Sequence, residues 1–304
     1  MQTSNQQTAS THHSPLESSP ATVSLCICTR NRPEDLTRCL ESVSRCSTQP
    51  FEIIVSDDST DPAPTQAVTN NYPNVTYQRG PCLGLGPNRN ACIRSAQGTH
   101  LVFTDDDVCV PEDFFTEAIA LIEQSPNALI TGYEMKHDSG EGDHTAQKVV
   151  PHNADFWGTM QVPIADRHYC SVVINSTIFP RSLFTQALFD ECLRYGYEEL
   201  DISRHAVALG YSILYRDSLY VDHYPSPINR EENQRFVYAS QLYTTAKAYF
   251  YYERSLPKTL TYALLAPIKI TGSIVKRKGP AAFIQGVKAT ALAYRYFFTS
   301  QKVR

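Results

Sequence analysis

From residue 22 onward, short apolar runs alternate with stretches whose apolar residues recur every three or four positions. VSLCIC, residues 23–28, is a continuous apolar run bounded by polar residues, and it reads as a buried strand. The next segment, 32–44, opens with Arg-Pro-Glu-Asp and predicts a helix to Ser44, with proline and acids in its first turn. FEIIVS, 51–56, is a second strand, and DDSTDP after it is a polar loop. A weak helix follows, then a short strand over 75–78. Gly84-Leu85-Gly86-Pro87 leads into a helix over 88–96, and HLVFT, 100–104, is the next strand. Pro111 opens a further helix to Gln124, and 128–133 forms another strand.

Strand alternating with helix is the pattern of a mostly parallel, Rossmann-like α/β sheet flanked by helices on both faces. Such sheets bind ligands outside the carboxyl ends of their strands. Three polar clusters fall at carboxyl ends here: Thr29-Arg30-Asn31, Asp57-Asp58 and Asp105-Asp106-Asp107. Three strands therefore aim polar groups at one crevice.

The aspartate triplet needs a reason. Carboxylates about 4–6 Å apart repel by roughly 3–4 kcal/mol per pair at an effective dielectric near 20. A hard divalent cation, Mg²⁺ or Mn²⁺, takes oxygen ligands, offsets that repulsion and leaves positions open for phosphate. The competing reading is an acidic helix N-terminus, but the helix opens at Pro111, too far downstream to use all three acids.

Composition changes the picture little. The chain has 304 residues, 42% hydrophobic and 19% charged, an ordinary globular balance. Charge changes it more. The net charge of −4 hides a segment, Arg254 to Arg304, with ten Lys or Arg and no Asp or Glu. An acidic body with a basic end points to contact with an anionic surface. Nine cysteines without a Cys-x-x-Cys pair fit reduced thiols acting as small apolar residues, with Cys26 and Cys28 on one face of their strand. Residues 1–21, rich in Gln, Ser and Thr, read as a disordered tail rather than a targeting segment. The expected localisation is cytoplasmic, with peripheral contact on the inner face of a membrane through the basic end. Nucleic-acid binding is disfavoured, because the basic and aromatic residues lie away from the crevice.

Four segments carry a resemblance to a known family: SLCICTRNRPEDLTRCLESV, IIVSDDST, GLGPNRNACIRSAQGTHLVFTDDDVCVPEDF and FDECLRYGYEELDISRHAVALGY. In order and spacing they are similar to the family 2 glycosyltransferases of GT-A fold, over residues 23–224. The resemblance implies transfer of a sugar from a nucleotide-diphosphate sugar to a hydroxyl acceptor, with inversion, in glycan or polysaccharide synthesis. It implies that Thr29, Arg30, Asn31 and Asp57 or Asp58 hold the base and ribose. Arg79 and Arg89 are candidates near the base or diphosphate. TDDD matches the family's Asp-x-Asp motif in two registers. Aligned on Pro111, the metal-binding acid is Asp106; aligned on the triplet, the pair is Asp105 and Asp107. His223 resembles a histidine that completes the metal site in some members.

GYEELDISRHAVALGY resembles the family's Glu-Asp motif, whose second acid is the catalytic base. That position is Glu199, a change from Asp to Glu, with Glu198 as the fallback. Asp201 and Arg204 match the same motif as scaffold residues. The expected division is a catalytic region at 22–227, with a nucleotide-binding half at 22–134 and an acceptor half at 135–227. A helical, basic C-terminal extension follows at 228–304. Trp157 lies in the irregular tract 135–160, where it would stack on a sugar face or fill a core. The apolar stretch 262–275 is too short and too interrupted to span a membrane. The Gln-x-x-Arg-Trp motif of the family's processive polymerases is absent from the sequence, so the resemblance implies a non-processive enzyme; its acceptor is a glycan end, a lipid-linked glycan or a small molecule, and the basic end favours the lipid-linked one. The rival classes are a nucleotidyltransferase, disfavoured because the loop after the first strand lacks glycine, and a non-catalytic sugar-nucleotide-binding protein, which would not need Glu199.

Overall fold

A computed structural model describes residues 20–137, 146–162, 170–226 and 230–300. The expected N-terminal tail lies outside them save for its last two residues.

The first half alternates strand and helix: β1 (Val23–Thr29), α1 (Pro33–Ser44), β2 (Glu52–Asp57), α2 (Ala63–Thr69), β3 (Val75–Arg79), α3 (Leu85–Ser95) and β4 (His100–Asp105). β5 (Val108–Cys109), α4 (Phe114–Gln124), β6 (Leu129–His137), β7 (Ala146–Val149), β8 (Asn153–Ala154) and β9 (Met160–Val162) follow. β10 (Thr177–Pro180), α5 (Glu198–Ala208) and β11 (Ile213–His223) complete the sheet region. The main sheet runs β3-β2-β1-β4-β10-β6-β11-β5, with β7 paired to β6. β3, β2, β1 and β4 are parallel, and β10 enters antiparallel between β4 and β6. The order reverses between β1 and β4, the crevice where ligands of doubly wound sheets bind.

Strand alternation divides the core. Leu25 and Ile27 of β1 face Leu36 and Leu40 of α1 and Phe115 of α4. Cys26 and Cys28 face the other way, against Cys92 of α3 and Ile202 of α5. All nine cysteines are free. On this second side Phe103 meets Phe179, Phe184 and Phe189 edge-on at 5.7, 5.7 and 5.2 Å. Such pairs add about 0.5–1.5 kcal/mol each beyond burial.

Several element ends differ from the expected ones for local reasons. α3 starts at Leu85, three residues early. Gly84 takes φ +125°, and a Cβ there would lie 2.7 Å from Arg194 Cα. The Leu85 amide is then free to donate to the Arg194 carbonyl at 3.1 Å, and Pro87 falls within the first turn, where a missing N–H costs nothing. α4 starts at Phe114 rather than Pro111, because Pro111 accepts the Phe114 amide in a turn before the helix.

The C-terminal helices are α6 (Arg230–Lys247), α7 (Leu256–Lys278) and α8 (Phe283–Thr299), with a π-turn at 248–252 after α6. They build a third core from Tyr243, Tyr262, Ala266, Ile274 and Tyr296, against which Phe156 and Trp157 pack. Trp157 sits edge-on to Phe156 at 4.9 Å with Lys269 4.1 Å above its ring, so it joins the tract after β8 to α7. Lys247 fastens this unit to the sheet region. Buried, it lies 2.7 Å from Asp190 and 2.7 Å from Asp201 of α5. No helix among the described residues is long and apolar enough to cross a membrane.

Candidate active site

The carboxyl ends of β1, β2 and β4 open into a cleft of about 550 Å³. Of the sequence-derived candidates, Thr29, Arg30, Asp58, Arg79, Asp105, Asp107 and His223 line it. Asn31, Asp57, Arg89, Asp106, Glu198 and Glu199 do not.

Apart from Glu199, the second group supports the first. Asn31 has a positive φ of 58° and closes the loop after β1: its Oδ1 accepts the Thr60 amide at 2.8 Å, and its own amide donates to Ser59 Oγ at 2.7 Å. Asp57 is buried and accepts the Ser59 amide at 2.7 Å and the Tyr77 hydroxyl at 3.1 Å. Arg79 stands 3.4 Å from that carboxylate and donates to the Asp57 and Ser59 carbonyls. Asp58 faces the cleft instead. It accepts the Cys82 amide at 2.8 Å, and burial raises its pKa above the ordinary carboxylate value.

The triplet splits by direction. Asp106 is 0% exposed. It accepts the Thr29 hydroxyl at 2.7 Å and pairs with Arg32 at 2.7 Å, while burial drives its pKa up to about 8. It anchors β4 to β1 and has no face on the cleft, so it is badly placed as the metal-binding acid. Asp105, the last residue of β4, and Asp107, in the turn that follows, line the cleft. Asp107 accepts from Arg32 at 3.0 Å and from the Ser226 amide at 2.9 Å through Oδ2. Its Oδ1 lies 3.4 Å from His223 Nε2, and His223 Nδ1 is 3.1 Å from Glu134 Oε1. Burial alone would lower the His223 pKa, but bonds to Asp107 and Glu134 raise it to about 10; burial opposes, and the same bond holds Asp107 down at about 2.

These residues fit a divalent cation as a half-site. Asp107 Oδ1 and His223 Nε2 lie 3.4 Å apart in the cleft lining and would serve as ligands once the cation displaces the Nε2 proton, Asp105 stands on the same wall, and Glu134 orients the imidazole from behind as outer-shell carboxylates do for metal-bound histidines. Among the described residues no three His, Cys, Asp or Glu side chains form a complete cage. Two protein ligands suit Mg²⁺ or Mn²⁺, which keep places for phosphate oxygens.

The acidic pair of α5 also divides. Gly196 and Tyr197 both take positive φ, 80° and 69°, and turn the chain into the helix. Glu198 is buried and pairs with Arg89 at 3.3 Å. Glu199 is half-buried and carries no salt bridge among the described residues. Burial, and next the charge of Glu198, raise the Glu199 pKa to about 8. Arg89 is 2% exposed, so it reaches no ligand. It spans from Glu198 to Asp105, 3.3 Å away, over the Phe189 ring.

Sequence reasoning missed Arg32, which binds both Asp106 and Asp107, and Glu134 behind His223. It also missed Arg194, Tyr195 and Phe236, which line the cleft opposite the strand ends. In the sequence Arg32 marks only the opening of a helix. Its place directly before Pro33 in the loop after β1 was the available signal.

Comparison with known proteins identifies the fold and the family. A sequence model described as Glycosyl transferase family 2 matches residues 24–185, just over half of the chain. Among curated relatives, the Uncharacterized glycosyltransferase YwdF of Bacillus subtilis is 34% identical over 194 residues, 60% of this chain and 64% of that one. The Amylovoran biosynthesis glycosyltransferase AmsE of Erwinia amylovora is 23% identical over 167 residues, 53% of this chain and 62% of that one. The chain thus spans somewhat under two thirds of either relative's length. Of solved structures, GalNAc-T7 with UDP, GalNAc and Mn²⁺ superposes with a TM-score of 0.59 at 17% identity, over 74% of this chain and 47% of that one. S. aureus TarS 1–349 in complex with UDP superposes with a TM-score of 0.52 at 17% identity, over 90% of each chain. These likenesses show the α/β GT-A fold, and the match from β1 to the residues beyond β10 establishes that the chain belongs to glycosyl transferase family 2.

Proposed function

We propose that the protein is an inverting, non-processive glycosyltransferase that moves a sugar from a nucleotide-diphosphate donor, of the UDP class, to a hydroxyl on a glycan or lipid-linked acceptor. The observation that carries this reading is the convergence of Asp58, Arg79, Asp105, Asp107 and His223 on one cleft at the switch point of the sheet. UDP accompanies both solved neighbours, and AmsE is named for amylovoran biosynthesis.

In this reading residues 22–134 hold the donor and 135–227 present the acceptor. Asp58 and the Thr29–Asn31 loop take the base and ribose, since a carboxylate accepts from base N–H or sugar hydroxyl. Arg79 orders the walls of that pocket through the Asp57 and Ser59 carbonyls. Asp107 and His223 would hold Mn²⁺ or Mg²⁺, which when bound supplies Lewis-acid stabilisation of the leaving diphosphate. Glu199 accepts the acceptor hydroxyl proton at its carboxylate as that oxygen attacks the anomeric carbon. The bond to the diphosphate breaks as the new glycosidic bond forms, and one displacement inverts the centre. Arg89 is a positioning residue: it fixes Asp105 on the donor side against Glu198 on the acceptor side. With a lipid-linked acceptor the enzyme works peripherally at a membrane, from the cytoplasmic side.

Thermal unfolding against UDP, GDP and dTDP, with and without Mn²⁺, tests this. A ligand at about 100 times its Kd stabilises by roughly 2.7 kcal/mol. The expected result is a metal-dependent rise in Tm with UDP. No shift with any nucleotide in folded protein sinks the donor site.

A further inference from the structure

The outer surface of α7 and α8 is apolar where a solvated helix is polar. On α7, Leu256, Leu260, Leu264 and Ile268 recur every four residues and are all exposed, Leu264 and Ile268 each at 71%. This is not the packing face of the helix, which is Tyr262, Ala266, Ile270 and Ile274. On α8, Ile284, Val287, Tyr294 and Phe298 are exposed, Phe298 at 83%, while Gly286, Ala289, Ala293 and Tyr296 pack inward. Each helix therefore has two apolar faces, and burial inside the protein accounts for one.

The two outer stripes border one seam. The helices pack antiparallel: the Tyr294 hydroxyl donates to the Ala263 carbonyl at 3.0 Å, and Gly286 lies against Thr271. Along the seam runs an apolar groove of about 190 Å³ whose lining includes Ala263, Pro267, Tyr294 and Phe298.

Charge selects the occupant. Lys276, Arg277 and Lys278 form the last turn of α7, and Lys288 and Arg295 stand two turns apart on one flank of the α8 stripe. From Arg254 to Arg304 there are ten basic residues and no acid. A second copy docking by the same patch would bring like charge against like charge. An anionic bilayer complements both features, because apolar side chains enter the acyl boundary while Lys and Arg stay among the headgroups. We propose that α7 and α8 form a docking face that seats the protein on an anionic lipid bilayer. Phe236 of α6 lines the catalytic cleft, and α6 packs with α7 and α8 in the third core. The docked face therefore belongs to the same packed unit as one wall of the cleft. The inference does not depend on which donor the cleft takes.

Co-sedimentation with phosphatidylcholine vesicles, with and without phosphatidylglycerol, tests it. The protein is expected to pellet with the anionic vesicles and to be released by high salt. Leu264→Glu with Ile268→Glu, and separately Lys276→Glu with Lys288→Glu, are each expected to weaken partitioning by roughly tenfold or more. All four positions are exposed, so an unchanged Tm verifies folding. Absence of binding to any vesicle overturns the proposal, as does binding that both variants retain. Sedimentation equilibrium supplies the other outcome: a dimer broken by Leu264→Glu with Ile268→Glu, without vesicle binding, assigns the face to a second copy and overturns the proposal as well.

Discussion

Arg89 joins two acids that belong to different halves of the protein: its guanidinium lies 3.3 Å from Asp105 at the end of β4 and 3.3 Å from Glu198 at the start of α5. At 2% exposure the cation is matched by charges rather than by water. Replacing it with Met leaves Glu198 buried beside Asp105 without a counter-charge. The expected loss is about 3–5 kcal/mol of stability, read from urea unfolding. Lys at this position keeps the charge but cannot reach both acids in one plane, so it is expected to recover only part of the loss. A Met variant as stable as the parent contradicts the bridge.

Glu199 gives a kinetic prediction. Glu199→Gln is expected to lower kcat by about 10²–10⁴-fold while donor binding stays unchanged. The sign of the pH effect follows from the raised pKa. A base must be deprotonated to act, so kcat/KM is expected to rise with pH and level off above about 8. That rising limb disappears in Glu199→Gln. A Gln variant with parental kcat moves the base elsewhere, Glu198 being next in line.

His223 and Glu134 make a pair whose roles can be separated without turnover. Mn²⁺ affinity in the presence of UDP, followed by electron paramagnetic resonance, is expected to fall by roughly 10–100-fold in Glu134→Gln. His223→Ala is expected to lose at least as much, and Asp106→Asn much less, since Asp106 faces Thr29 and Arg32. Equal losses for Asp106→Asn and Asp107→Asn contradict the division of the triplet.

Lys247 holds Asp190 and Asp201 from inside the protein. Lys247→Met strands two buried carboxylates and is expected to cost about 3–5 kcal/mol. Lys247→Met combined with Asp190→Asn and Asp201→Asn recovers part of that, because the repulsion goes with the charge. Denaturant midpoints for the single and triple variants decide it.

The strand–helix alternation of the first half was legible because each element is local: an apolar run, a capping proline, a polar turn. The carboxyl-end clusters were legible for the same reason. Direction within a cluster was not. Asp105, Asp106 and Asp107 are alike in sequence, and only the burial of Asp106 under Arg32 separates them. Arg89 looked like a ligand contact because its partners lie 16 and 109 residues away in the chain. Glu134 gave no signal at all, since its role exists only when β6 lies parallel to β11 and meets His223. In the extension, Pro267 looked like an interruption, yet α7 passes through it from Leu256 to Lys278, packed on both sides by α6 and α8.

The order of the strands has a temporal side. β4 is complete at Asp105, but the neighbour on its far edge, β10, begins only at Thr177, after 71 further residues. At synthesis rates of about 5–20 residues per second, that edge waits roughly 4–14 seconds for its partner. During the wait Leu101 and Val102 offer an apolar strand with open hydrogen bonds to any passing chain. The nascent protein is most in need of a chaperone in that interval, before the second half of its sheet exists.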